Sequence, residues 1–315
     1  MSKQDPWWKS AVLYQVYPRS FSDSKGTGTG DLRGIHERLP YIASLGVDAI
    51  WISPFCKSPM KDFGYDVEDH RQVDPLFGTN EDFDALLERA HDLGVRVLID
   101  LVLSHCASTH VWFQDCLKGR GSPYDDAFVW VDPAPDGGPP NNWLSVFGGT
   151  AWEYNETRKQ YYLHNFLKSQ PDFNFHNPLV REEAFSVARY WLDKGVDGFR
   201  IDAINFCLHD PALRDNPPAT HRDLQSVQRN NPYGTLQHLY DKNHPDTPKL
   251  LEGLRAVMDE YDERVTIGEI GASQEESQTL MREYTQPGRL NLCYSFDFLS
   301  PAFNADHFRG VFERL

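Results

Sequence analysis

The 315-residue chain carries 31 Lys and Arg against 46 Asp and Glu, a formal charge of −15, which repels nucleic acid and anionic membrane surfaces and leaves a neutral ligand as the better fit. Its 40% hydrophobic and 24% charged residues are those of an ordinary folded protein long enough for a sizeable core. Residues Met1–Ser10 lack the apolar stretch of a secretory signal, and the longest apolar runs are too short and too charged to cross a membrane, so the expected location is the cytoplasm.

In chain order, an apolar strand is expected at Val12–Phe21 and a second at Val47–Pro54. A helix follows over Glu81–Leu93, where Phe83, Leu86, Leu87 and Ala90 recur at three- and four-residue spacing and Gly94 supplies the stop. Val95–Leu103 is the third strand. From Cys106 to Asn177 the chain is rich in Pro, Gly, Trp and Tyr with no long helical period, which reads as an inserted subdomain with a hairpin over Tyr154–Tyr162. Helix Leu179–Lys194, closed by Gly195, leads into strand Val196–Ala203. A long irregular loop spans Leu208–Pro248, and strands are expected at Val265–Ile270 and Leu292–Phe298. The chain thus divides into a first barrel part (1–105), the insert (106–177) and a second barrel part (178–315). Repeated helix, Gly, strand units favour an eight-stranded parallel βα barrel over a doubly wound sheet. Five cysteines (Cys56, Cys106, Cys116, Cys207, Cys293) share no spacing and argue for free thiols.

In such barrels reactive groups stand at the C-terminal strand ends, and polar residues do interrupt these apolar strands there: Asp100 and His105, Arg200 and Asp202, Glu269, Asp297. Arg200 and Asp202 are two apart on a strand and share a face, which sets a cation beside the carboxylate and favours its charged form, as a nucleophile requires. Taken alone, Arg-x-Asp is more often a plain buried ion pair. Glu269, flanked by Gly268 and Ile270, is expected to be desolvated and so to hold a proton, although a strand-end glutamate is also a common helix cap. One carboxylate kept charged and one kept protonated is the pair that retaining glycoside hydrolysis uses, at a separation of about 5–5.5 Å.

Several segments, in order, resemble the α-amylase superfamily of glycoside hydrolases and, within it, the α-glucosidase and oligo-1,6-glucosidase branch. Trp7–Phe21 is similar to that branch's first strand, and Asp62-Phe63-Gly64-Tyr65-Asp66 to its sugar-holding segment. Asp100-Leu101-Val102-Leu103-Ser104-His105 resembles the first conserved region, and Gln170-Pro171-Asp172-Phe173-Asn174 the end of its inserted domain. Gly198-Phe199-Arg200-Ile201-Asp202 resembles the nucleophile strand and Gly268-Glu269 the acid/base strand. The resemblance implies that Asp202 forms a covalent glucosyl intermediate and that Glu269 protonates the leaving oxygen and then activates water. It implies that Tyr65 stacks under the terminal glucose, that Asp62, His105 and Arg200 bond its hydroxyls or the nucleophile, and that Phe147, Phe166 and Gln170 line the pocket from the insert. In this branch a valine after the nucleophile resembles α-1,6-preferring enzymes; Ala203 here favours short α-1,4-linked, maltose-type substrates.

Two segments depart from the pattern. Asp23–Asp31 aligns with a loop that binds calcium or magnesium in many relatives, with Asp23, Lys25, Thr27, Thr29 and Asp31 as candidate ligands, yet the usual middle Asp is Thr27; a weakened or absent ion is expected and no cofactor is required. The family's third catalytic aspartate, in an Asn-His-Asp segment after the seventh strand, has no counterpart before Leu315. The chain resembles roughly the first three-fifths of a family member. It is expected to be a fragment or a truncation that is inactive as written. The competing readings are a transglycosylating or isomerising relative of the trehalose synthase or sucrose isomerase type, a non-enzymatic transporter heavy chain, and a pure sugar-binding module. The oligomeric state is not given by the sequence.

Overall fold

The computed structural model describes residues 5–220, 230–298 and 303–313. Its strands are β1 (Leu13–Val16), β2 (Ala49–Ile52), β3 (Cys56–Lys57), β4 (Asp69–Val73), β5 (Arg96–Val102), β6 (Trp130–Val131), β7 (Trp152–Asn155), β8 (Gln160–Leu163), β9 (Gly198–Asp202), β10 (Val265–Ile270) and β11 (Leu292–Ser295). The helices are α1 (Pro18–Phe21), α2 (Leu32–Ser44), α3 (Asn80–Asp92), α4 (Val111–Cys116), α5 (Pro178–Asp193), α6 (Thr247–Met258), α7 (Gln274–Tyr284) and α8 (Ala305–Phe312).

Six strands form one parallel sheet in the order β1-β2-β5-β9-β10-β11, with helices between successive strands, which is the architecture of a βα barrel. The parallel strands read as apolar runs because both faces are covered; all five residues of β9 are buried. Gly198 opens β9 because nothing larger fits: a Cβ there would come within 2.1 Å of the Val265 carbonyl oxygen on β10. On α3, Phe83, Leu86, Leu87 and Ala90 face the core, and a capping box between Thr79 and Asp82 satisfies the first amides. Pro178 starts α5 behind the Asn177 cap, and Val180, Ala184, Val187, Ala188, Trp191 and Leu192 form its buried stripe. Gly94 (φ 72°) and Gly195 (φ 102°) supply the left-handed turns from helix into strand.

The stretch 106–177 holds a three-stranded antiparallel sheet, β6-β8-β7, whose β7–β8 pair is the hairpin expected over Tyr154–Tyr162. It packs a small core of its own around Val129, Trp143, Ala151, Trp152 and Leu163, which Leu213 and Tyr240 from the loop after β9 extend. All five cysteines are free thiols. No helix among the described residues is long and apolar enough to cross a membrane.

Three sequence expectations need correction. The first strand does not run to Phe21 but stops at Val16, because Pro18 has no N–H for the ladder and instead opens α1. The last strand ends at Ser295, and Phe296–Phe298 turn into a 3-10 segment. The β3–β4 hairpin and helices α2, α6, α7 and α8 were not expected individually; α2 contains Pro40, which masks its period. Part of the expected loop Leu208–Pro248, residues 221–229, lies outside the described residues, as do 299–302 and the chain end at Leu315.

Candidate active site

The parallel register brings the charged residues together. Asp100 on β5 pairs with Arg200 on β9, and Glu269 on β10 lies one step beyond the Gly268–Ile201 pair, so all three strands deliver a charge to the same C-terminal edge. Arg200 is the hub. Its Nη1 donates to Asp100 Oδ1 at 2.5 Å and Asp202 Oδ1 at 2.7 Å, its Nη2 meets Glu269 Oε2 at 2.6 Å, and its Nε donates to the Tyr294 hydroxyl at 2.9 Å. The rings of Trp51, Tyr65 and Tyr294 surround the guanidinium at 5.1–5.9 Å. Planar, rigid and always charged, an arginine can orient several carboxylates at once.

Three carboxylates share that one cation, and burial acts on them unequally. The Glu269 carboxyl is pushed up to about 8, chiefly by burial and then by the negative charge of Asp202, with Arg200 opposing. Its Oε2 also accepts the Ala203 N–H at 3.2 Å, where the chain leaves β9 in a left-handed conformation (φ 40°). Asp100, whose side chain is fully buried, is raised to about 7 by desolvation against the pull of Arg200, and it accepts the Trp51 indole N–H at 2.7 Å.

Asp202 and Glu269 open into a cavity of about 360 Å3, within the range of small-molecule sites. Asp62, Tyr65 and His105 join Arg200 and Asp202 in its lining. Asp62 and Tyr65 ride on a loop organised by Asp66, which is wholly buried and accepts from the Ser58 hydroxyl and the Lys61 and Asp62 amides at 2.9–3.0 Å. Burial raises the Asp62 carboxyl above its ordinary range despite a bond from Gln170, and burial lowers the His105 imidazole so that it stays neutral. Phe166 packs 4.9 Å from the His105 ring and 5.8 Å from Phe147, which is half exposed at the rim. Ala203 lines the cavity directly after Asp202.

Gln170 stands elsewhere than expected. It does not line the cavity; fully buried behind it, its Nε2 donates to Asp62 Oδ2 at 2.8 Å and lies 3.1 Å from His105 Nε2, so it fixes two lining residues without facing the space itself. Residues that sequence reading did not assign to the cavity are Val146, Phe206, Tyr233, Lys242, Gly271 and Phe296, while Asp100, Trp51 and Tyr294 hold Arg200 from behind. Phe206 and Tyr233 sit in short 3-10 turns and Lys242 in irregular chain, with no helical or strand period to mark them.

The loop Asp23–Asp31 is folded on its own hydrogen bonds. Asp23 accepts the amides of Lys25, Gly26 and Gly28 at 2.6–2.9 Å, Thr27 Oγ1 donates to the Thr29 carbonyl at 3.3 Å, and Asp31 caps α2 through the Gly34 amide while accepting from Ser24. A cation would have to displace those donors from Asp23. Among the described residues no group of three or more His, Cys, Asp or Glu side chains is arranged to hold a metal ion.

Chemically, the cavity offers two carboxyl groups held by one guanidinium, one of them, Glu269, pushed up to about 8, together with side chains able to hydrogen-bond a polar ligand and several aromatic rings. The chain is 55% identical over 298 residues to a probable alpha-glucosidase of Rhizobium meliloti, an alignment covering 94% of this chain and 54% of that protein. It is 45% identical to an oligo-1,6-glucosidase of Heyndrickxia coagulans, covering 93% and 51%. In three dimensions it is similar to the solved alpha-glucosyl transfer enzyme XgtA, with a TM-score of 0.96 and 53% identity over 99% of this chain and 58% of that one. The chain therefore spans about half the length of the curated relatives it matches. Residues 15–311 match the model of the alpha-amylase catalytic domain, and with the parallel sheet, the inserted antiparallel unit and the identity to these glucosidases, the chain belongs to the alpha-amylase family.

Proposed function

We propose that the protein is a retaining, exo-acting α-glucosidase that removes terminal α-linked glucose from short oligosaccharides. The observation that carries the reading is that Asp202 and Glu269, on adjacent strands, are both held by one arginine at the wall of one sugar-sized cavity. In the first step an Asp202 carboxylate oxygen attacks the anomeric carbon, the glycosidic C–O bond breaks, and the leaving oxygen takes the proton from Glu269. In the second, Glu269, now a carboxylate, takes a proton from water whose oxygen attacks the same carbon and releases Asp202. Arg200 holds the Asp202 side chain in place through its Nη1 at 2.7 Å.

Exo action is supported by the size of the cavity, about 360 Å3, and by the polar groups of Asp62, His105 and Arg200 gathered beside Asp202 in its lining. The small Ala203 side chain beside the nucleophile supports α-1,4-linked substrates. The insert, residues 106–177, supplies the Phe147 rim and the Phe166 wall. The mechanism gives a metal ion no part.

A second reading, glucosyl transfer to a sugar acceptor, has a specific support: the cavity lining is rich in rings, with Phe147, Phe166, Phe206 and Phe296, and rings favour a sugar over water. Analysis of the products from maltose and from sucrose separates the two. For either, Asp202→Asn in the full-length protein is expected to lower turnover of an aryl α-glucoside by roughly 10,000-fold with the circular dichroism spectrum unchanged. Turnover within tenfold of wild type would overturn the assignment.

A further inference from the structure

The strand carrying Glu269 outlives its neighbour. Strand β9 ends at Asp202, Ala203 turns left-handed and Ile204–Phe206 form a 3-10 turn, whereas β10 continues to Ile270. Residues 269 and 270 pair with Tyr294 and Ser295 of β11 on one side; on the other, β9 ends at Asp202, in register with Glu269, so the chain from Ile270 to Gly271 runs past the end of β9.

The Asn205 side chain fills that gap. Its Nδ2 donates to the Gly271 carbonyl at 3.1 Å and its Oδ1 accepts the Gly271 N–H at 3.4 Å, the two bonds a paired strand would make. Lys242 Nζ donates to the same Gly271 carbonyl at 2.9 Å. Asn205 also reaches the loop after β9: Nδ2 donates to Asn243 Oδ1 at 2.7 Å, and the Asn243 amide, at φ 56°, donates to the Asn205 carbonyl at 2.8 Å. Asn205 is wholly buried. A carboxamide offers a donor and an acceptor side by side in one plane, which neither an ionised carboxylate nor a single hydroxyl does.

We propose that Asn205 is a positioning residue for Glu269, acting as a side-chain surrogate for strand pairing beyond the end of β9 and linking the acid/base strand to the loop whose Tyr233 and Lys242 line the cavity. The proposal rests on the reading of Glu269 as the proton donor. The carboxyl sits two residues from the clamped peptide, and a displacement of about 1 Å in such a group costs on the order of 100-fold in rate.

The test uses leaving groups, because a residue that merely holds the fold affects all substrates alike. In Asn205→Ala of the full-length protein, kcat/KM for methyl α-glucoside, whose alkoxide needs a proton, is expected to fall about 100-fold, while that for α-glucosyl fluoride, whose fluoride needs little proton assistance, falls less than about threefold. Equal losses on both substrates, or none on either, would overturn the proposal. Should the alanine variant fail to fold, Asn243→Gly keeps the positive φ and removes the carbonyl that holds the Asn205 amide; the same ordering is expected at about tenfold, and equal losses or none would again overturn it. A wild-type protein inert toward both substrates would sink the α-glucosidase reading instead.

Discussion

Glu269 is where the chemistry depends most on surroundings. Its carboxyl is raised to about 8 because burial and the charge of Asp202 outweigh Arg200. In the proposed role of general acid Glu269 works only while protonated, so kcat/KM of the full-length protein is expected to hold through neutrality and to fall tenfold per pH unit above about 8. A profile flat to pH 9.5 would contradict this. The same shift has a cost to the fold with a definite sign: a carboxyl whose folded pKa is raised binds protons more tightly folded than unfolded. The penalty is absent below the unfolded carboxyl pKa, grows as pH rises, and is full above about 8. Glu269→Gln is accordingly expected to melt higher than wild type at pH 9, and no higher at pH 4.

At the scale of elements, the loop between β3 and β4 shows how a motif can be functional at one residue and structural at the next. In Asp62-Phe63-Gly64-Tyr65-Asp66, Asp62 and Tyr65 face the cavity while Asp66 faces inward and satisfies three donors. Gly64 is required by φ 107° and by the Pro54 carbonyl, 2.9 Å from where a Cβ would stand. Asp66→Ala strands those donors and is expected to cost about 1–3 kcal/mol in urea unfolding and, on the proposed function, to raise KM, since the loop positions two cavity-lining residues. Unchanged unfolding would refute the hub role. Such roles also mark how far the sequence could be read. Strands β2, β5, β9 and β10 and helices α3 and α5 were legible because apolar runs, helical periods and Gly stops are local signals. Gln170 and Asn205 were not, because what defines each is a partner 65 or 66 residues away.

Across the whole molecule, the six-stranded parallel sheet works as a rack on which β5, β9 and β10 present Asp100, Arg200, Asp202 and Glu269 at one edge. The order of the motifs along the chain made this arrangement readable, since parallel strands put their C-terminal ends together. The rest of the cavity lining was less so: Phe206 and Tyr233 lie in short 3-10 turns and Lys242 in irregular chain, whose positions follow only from packing against the insert and β10. The most direct measurement of the central claim is the intact mass of the full-length protein after incubation with 5-fluoro-α-glucosyl fluoride, followed by peptide mapping. A fluoroglucosyl adduct on Asp202 is expected, accumulating faster than it hydrolyses. Turnover with no adduct, or an adduct on any other side chain, would contradict the assignment of Asp202 as the nucleophile.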